Sequence, residues 1–167
     1  MKCFWNRLHK IGGFLHLPDI PTWLLAVLLL VFILRIPSYF EPYYYGDEMI
    51  YMTLGQGARQ ELTLYKDIYD NKPPLLYLTA AAAGNLFWFK AILAFWMMAT
   101  TVLFSKLSQV IFKSEKKPVI ISTVVFAILT TIPLLEGNIV NAELFMIGPI
   151  IGAFIILLSK KDTAKNI

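Results

Sequence analysis

Long apolar blocks alternate with one extended polar interval along the 167 residues of this chain. Residues 22–40 (TWLLAVLLLVFILRIPSYF), 89–112 (FKAILAFWMMATTVLFSKLSQVIF), 118–135 and 142–158 are each close to the length a helix needs to cross a hydrocarbon layer of ~30 Å. The pattern predicts an all-α polytopic membrane protein with about four transmembrane helices. Residues 74–88 (PLLYLTAAAAGNLFW) are also apolar, but they are shorter than a span and are interrupted by Gly84 and Asn85. They predict a shallow or re-entrant helix at the outer surface. The first block is too long for a signal-peptide core, and Arg35-Ile36-Pro37 follows it where a small-residue cleavage site would stand, so it is expected to remain as an anchor.

The polar interval runs from Arg35 to Lys72, most of it in an outer loop over residues 41–88, and a loop of that length between spans is more often functional than connective. Pro37 and Pro42 stop the first helix, and Tyr39, Tyr43, Tyr44 and Tyr45 suit an interfacial aromatic belt. The run from Asp47 to Arg59 predicts a juxtamembrane helix with Asp47 at its amino end, as a candidate cap. Met49, Ile50, Thr53, Leu54 and Gly57 share one face of it. Gly55 and Gly57 weaken that helix as read from propensity. No GQG phosphate-loop context exists here.

Composition strengthens the membrane reading: 57% of residues are hydrophobic and 16% charged, against about a quarter charged in an average soluble domain. The net charge of +4 comes from the bases flanking the apolar blocks and implies no nucleic-acid partner. With the ends of the chain inside, ten bases face three acids (Asp19, Glu115, Asp162) on the cytoplasmic side, and the other eight acids lie outside. Residues 1–20 then form a basic, aromatic interfacial segment, and 159–167 a cytoplasmic tail. Cys3 offers no disulfide, and His9 and His16 have no ligand spacing.

Three features together resemble the amino-terminal part of a GT-C membrane glycosyltransferase, of the protein O-mannosyltransferase and lipid A aminoarabinose transferase type. The first block ends in Arg35-x-Pro37, and Gly46-Asp47-Glu48 follows about ten residues on. Residues 64–77 (LYKDIYDNKPPLLY) are similar to that family's segment ending Lys-Pro-Pro-Leu-x-Tyr. A second outer turn carries Asn141-Ala142-Glu143 just before a span. Two departures leave charges untouched: the family's glycine before the Leu-Tyr pair is replaced, and its Leu-Phe-Gly stands here as Leu86-Phe87-Trp88. Such enzymes run to about a dozen spans, so the resemblance covers their first third (a partial GT-C fold), and an incomplete chain is expected.

The resemblance implies transfer of a sugar, with inversion, from a polyprenyl-phosphate donor to an acceptor hydroxyl on a lipid, glycan or protein. It places the site on the extracytoplasmic face of a bacterial plasma membrane, among membrane lipids. Such chemistry needs a carboxylate to take the acceptor's proton and cations to stabilise the departing phosphate. On the resemblance Asp47 is the base and Glu143 the second acid; Glu136 competes with Glu143. Lys72, stiffened by Pro73-Pro74, and Arg35 are the candidates for the donor phosphate. Glu48 and Asp70 are supporting groups, with Asp70 expected to pair with Lys72. Tyr65, Tyr69 and Tyr77 read as interfacial packing, and Lys72 and Arg35 also fit snorkelling interfacial cations. No metal site and no required cofactor are implied, although clustered carboxylates could hold a divalent cation. Two other classes compete: a small non-enzymatic membrane protein acting as assembly or regulatory partner, and a transporter or flippase module. The last expects charges along a path inside the spans, whereas Lys90 sits near the outer edge of its block.

Overall fold

The computed structural model describes residues 20–42 and 45–164, with side chains described to residue 158. The amino-terminal segment with Cys3, His9 and His16, the tyrosines at 43 and 44, and residues 165–167 lie outside the described residues. The described residues are helical, with no strand; one isolated bridge joins Leu64 and Ile68.

Helix α1 spans Thr22–Arg35 and passes into a 3₁₀ turn, Ile36–Phe40. The cause is Pro37, which has no N–H to continue the α ladder. The Ser38 hydroxyl donates to the Arg35 carbonyl at 2.7 Å and satisfies one of the carbonyls left open at the helix end. Helix α2 spans Gly46–Arg59. Its inward residues are Glu48, Tyr51, Leu54, Gly55 and Gly57, whereas Met49, Ile50 and Thr53 are exposed. Of the face expected from spacing, Leu54 and Gly57 turn inward and the other three turn outward. Its amino cap is Tyr45, with no side-chain capping bond, so Asp47 is not the cap.

Helix α3, Pro74–Ala83, starts where Pro73 holds an extended backbone and Pro74 occupies the first turn. It ends at Gly84 (φ +75°), a left-handed position that glycine adopts without strain. Ten residues rise ~15 Å, half of what a span requires. Asn85 then caps α4, Leu86–Ile111, by accepting from the Trp88 N–H at 3.0 Å. The turn at 84–85 thus moves the start of the long helix three residues ahead of the expected 89.

Helix α5 covers Lys116–Leu129, with Pro118 third in the helix rather than first. It does not continue to 135: Ile132 is extended, and Pro133–Leu135 form a 3₁₀ turn, because Pro133 cannot donate back to Leu129. Helix α6 runs Ala142–Ala164 and is capped by Asn141, whose side chain accepts from the Leu144 N–H at 3.0 Å.

Helix α4 is the hub, packing against α6, α5, α1, α3 and the 3₁₀ turn after α1. One core joins Tyr51 and Leu54 of α2, Leu76, Tyr77 and Ala80 of α3, Phe89, Leu93 and Met97 of α4, and Val140, Ala142 and Leu144. A smaller one packs Val27 and Val31 of α1 on Ala127 of α5. The glycines of α2 serve contact: a Cβ at Gly55 would meet the Ala81 nitrogen at 2.7 Å and the Ala80 carbonyl carbon at 2.9 Å. Gly148 does the same for α6 against Trp96 and Thr100 of α4.

Two helical segments, Thr22–Phe40 and Leu86–Ile111, are long and apolar enough to cross a membrane. Large apolar side chains remain exposed on both of them (Leu25, Leu29, Ile33; Phe95), on α5 (Ile121, Val125) and on α6 (Phe154, Ile156, Leu157).

Candidate active site

The segment from Leu62 to Pro73 is fixed by its own polar groups. The Asp67 carboxylate accepts the Thr63 N–H at 2.8 Å, and the Tyr65 N–H donates to the Ile68 carbonyl at 2.7 Å. The Tyr65 hydroxyl then donates to the Lys72 carbonyl at 2.6 Å, while the Lys72 N–H donates to the Tyr77 hydroxyl at 3.0 Å. Tyr77 in turn donates to Asp70 at 2.8 Å. Tyr77 is fully buried, so the Lys72 backbone is anchored to the core from one side and tied by an exposed tyrosine on the other.

That anchoring aims the Lys72 side chain across the chain to Glu143, at 3.0 Å between Nζ and Oε1. The partners are 71 positions apart in sequence. The expected ion pair of Lys72 with Asp70 is not what forms; Asp70 is engaged by Tyr77. The Lys72–Glu143 pair is open to solvent, with 30% and 65% of the two side chains exposed. The Glu143 hydrogen bond holds the Lys72 ammonium protonated above its ordinary range, and Asp47 and Asp70 lie close enough to add to the effect.

Asp47 stands in the first turn of α2 and accepts from the Tyr51 hydroxyl at 3.3 Å. Burial raises the pKa of that phenol first, and the nearby charges of Asp47, Glu143 and Asp70 raise it further. Three of the sequence-predicted acids (Asp47, Asp70 and Glu143) therefore act on both Tyr51 and Lys72. Tyr51 itself was not anticipated; its spacing of four from Asp47 on a helix was the available signal. Glu136, in a left-handed turn at φ 57°, lies close enough to the Tyr45 hydroxyl to push its pKa up.

Arg35 lies elsewhere. Its guanidinium is buried rather than snorkelling, and Nη2 donates to the Thr130 carbonyl at 2.8 Å. The turn between α5 and the following 3₁₀ segment thus claims it, and no contact joins it to Lys72.

A second polar cluster lies beneath. Glu48, buried, accepts the Val140 N–H on Oε1 at 2.7 Å. Its Oε2 is 3.5 Å from Lys90 Nζ, and Lys90 reaches Glu41 Oε2 at 2.9 Å. Asn138 donates to both oxygens of Glu41, at 3.0 and 3.1 Å. Desolvation raises the Glu48 pKa despite the opposing pull of the Val140 N–H and Lys90. Sequence reasoning left Glu41 and Asn138 unassigned and read Lys90 only by its position. An acid before a proline and an asparagine in a turn give no local sign that they meet.

An apolar groove of about 410 Å³ is lined by Pro73 and Ala142, the chain neighbours of Lys72 and Glu143, and by Leu76, Trp96, Phe145 and Pro149 among others. Its walls come from α3, α4 and α6. A larger, mixed groove of about 720 Å³ runs along the exposed face of α2 past Gln56 and Arg59 to Gly84. Among the described residues, no group of three or more His, Cys, Asp or Glu side chains is arranged to hold a metal ion. Comparison with family models, curated proteins and solved structures returns no match. Function rests on the geometry alone.

Proposed function

We propose that this chain carries the donor-side half of a membrane glycosyltransferase site, which moves a sugar from a polyprenyl-phosphate to an acceptor hydroxyl. The observation that carries this reading is the Lys72–Glu143 pair beside an apolar groove, with Asp47 in the same electrostatic neighbourhood. A lipid-linked phosphate needs an apolar seat for its chain and a cation for its head. Lys72 and the groove supply the two side by side. Asp47, in the first turn of α2 and beside the Tyr51 hydroxyl, is available to take the acceptor's proton. The developing phosphate charge would be met by Lys72, which its acidic neighbours hold protonated.

The membrane setting is part of the proposal. The 23 residues of α6 rise ~34 Å, enough to cross, and apolar side chains exposed on α5 and α6 are what lipid would cover. Together with the two long apolar segments they support four spans, with both ends inside and the 41–88 region outside, as the distribution of bases favours.

One observation favours the non-enzymatic reading: Lys72 is already compensated by Glu143, so a phosphate must share or displace that partner. Binding decides between them. The chain is reconstituted in nanodiscs and titrated with a polyprenyl phosphate and with the matching polyprenol. The proposal expects saturable binding that requires the phosphate and is lost in Lys72→Gln. Equal binding of phosphate and alcohol, or indifference to Lys72→Gln, would overturn it.

A further inference from the structure

Glu48 follows Asp47 in the first turn of α2, and its carboxylate holds the Val140 N–H at 2.7 Å. Val140 lies three residues before Glu143, on the strand of chain that opens α6. Glu48 is therefore a direct polar link between the segments bearing the two candidate carboxylates, which also share the core of Tyr51, Leu54, Val140 and Leu144. Lys90, from the hub helix α4, reaches the other oxygen of Glu48 at 3.5 Å and Glu41 at 2.9 Å. Glu41 is gripped in turn by Asn138, two residues before Val140. One ammonium thus gathers three separate segments, at 41, 48 and 138–140. The Lys90 and Glu48 side chains are each only 3% exposed.

A buried charge set is a stiff connector, because any displacement leaves an ion without its partner in a medium that solvates it poorly. Neither Lys90 nor Glu48 reaches the groove beside Lys72, so neither is placed to touch a ligand there. We propose that Lys90, acting through Glu48 and Glu41, is a positioning residue that fixes the separation of Asp47 and Glu143. This rests on the assignment of those two carboxylates in the proposed function. The measurement below reads distance alone, so it stands or falls apart from any activity.

The test uses the 167-residue chain in nanodiscs with Cys3→Ser and spin labels at Asp47→Cys and Glu143→Cys. A second labelled pair, Leu29→Cys on α1 and Ile121→Cys on α5, monitors the bundle away from the cluster. The parent should give one narrow distance for each pair. Lys90→Met leaves buried acids uncompensated and is liable to unfold, so the deciding variant is the double Lys90→Met with Glu48→Gln, which neutralises both ends of that contact. The expected result is loss of the single narrow 47–143 distance with the 29–121 distance intact. Lys90→Arg, which keeps a cation beside both acids, should retain the narrow distance. A 47–143 distance unchanged in the double variant overturns the proposal. So does equal broadening of both pairs, which would make the cluster a support of the whole bundle. Absence of sugar transfer or phosphate binding with the distances behaving as expected would remove only the functional reading.

Discussion

Two lysine–glutamate contacts of almost the same length occupy opposite surroundings in this molecule. Lys72–Glu143 measures 3.0 Å and is open to solvent; Lys90–Glu41 measures 2.9 Å, with the lysine buried and a second acid, Glu48, behind it. Geometry alone would rank them equal. Surroundings separate them: water screens the first, and long side chains there gain little from being held. In the second, removal of either partner strands a charge. The exposed pair is thus free to exchange its partner for a ligand, and the buried one is suited to keep segments in place.

The largest effect that separates the two should come from Lys90→Met. It leaves Glu48 facing a neutral side chain in the core, and a loss of about 3–5 kcal/mol is expected for such a half-broken buried pair. Denaturant unfolding in detergent micelles measures it. A loss no greater than that of Lys72→Gln would erase the distinction.

Next comes Gly55→Ala. The added methyl would meet backbone atoms of α3 at 2.7–2.9 Å, which a flexible side chain could avoid but a helix cannot. Overpacking of this kind costs about 1–3 kcal/mol. Because α3 begins at the Pro73-Pro74 step after Lys72, the displacement should loosen the Lys72–Glu143 contact while the Lys90 cluster stays closed. Crosslinking between cysteines placed at 72 and 143 would report the first change.

The two clusters also differ in pH response. Burial raises the Glu48 pKa, so as pH climbs from the ordinary carboxylate range through the raised value, the folded state must carry an unfavourable charge that the unfolded chain carries freely. Stability should fall over that acidic-side window and then level off. Glu48→Gln should flatten the slope. The Lys72 pKa is raised by Glu143, so what that solvated pair contributes, too little to move an unfolding midpoint, is present at neutral pH and fades as pH rises through the alkaline range. Unfolding midpoints measured across pH in the parent and Glu48→Gln would read the acidic window; an unchanged acidic slope in Glu48→Gln would remove Glu48 as its source.

What the sequence could convey follows from which forces are local. The helix from 46 to 59 and the long apolar segments were legible because length and hydrophobicity act within one stretch of chain. The inward face of α2 was not. The shared face expected of Met49, Ile50, Thr53, Leu54 and Gly57 is split, with Met49, Ile50 and Thr53 exposed and Leu54 and Gly57 buried, because neighbouring segments select the buried side and helical spacing does not name it. Gly55 and Gly57 lowered the helix score by propensity, while their function is contact with neighbouring segments. Lys72 and Glu143 were both singled out, but proximity in sequence suggested Asp70 as the lysine's partner. Tyr77 had already taken it. Glu48 was ranked below Asp47 because adjacent helical residues point about 100° apart. That same angle turns it inward, toward Val140 and Lys90.

The smallest effect on stability, and the sharpest on binding, concerns the exposed pair. Lys72→Gln and Glu143→Gln should each leave the unfolding midpoint unchanged within error, since both groups remain hydrated when unpaired. Their effects on a polyprenyl phosphate should be opposite. Lys72→Gln removes the cation that a phosphate would meet, and binding should be lost. Glu143→Gln removes the carboxylate that competes for that cation, and binding should tighten a few-fold, because a phosphate no longer displaces a charged partner. Nanodisc titrations of the two variants side by side make the comparison. If Glu143→Gln weakens binding instead, Glu143 belongs to the donor seat itself, through Lys72 orientation, and the pair acts as one rigid unit like its buried counterpart.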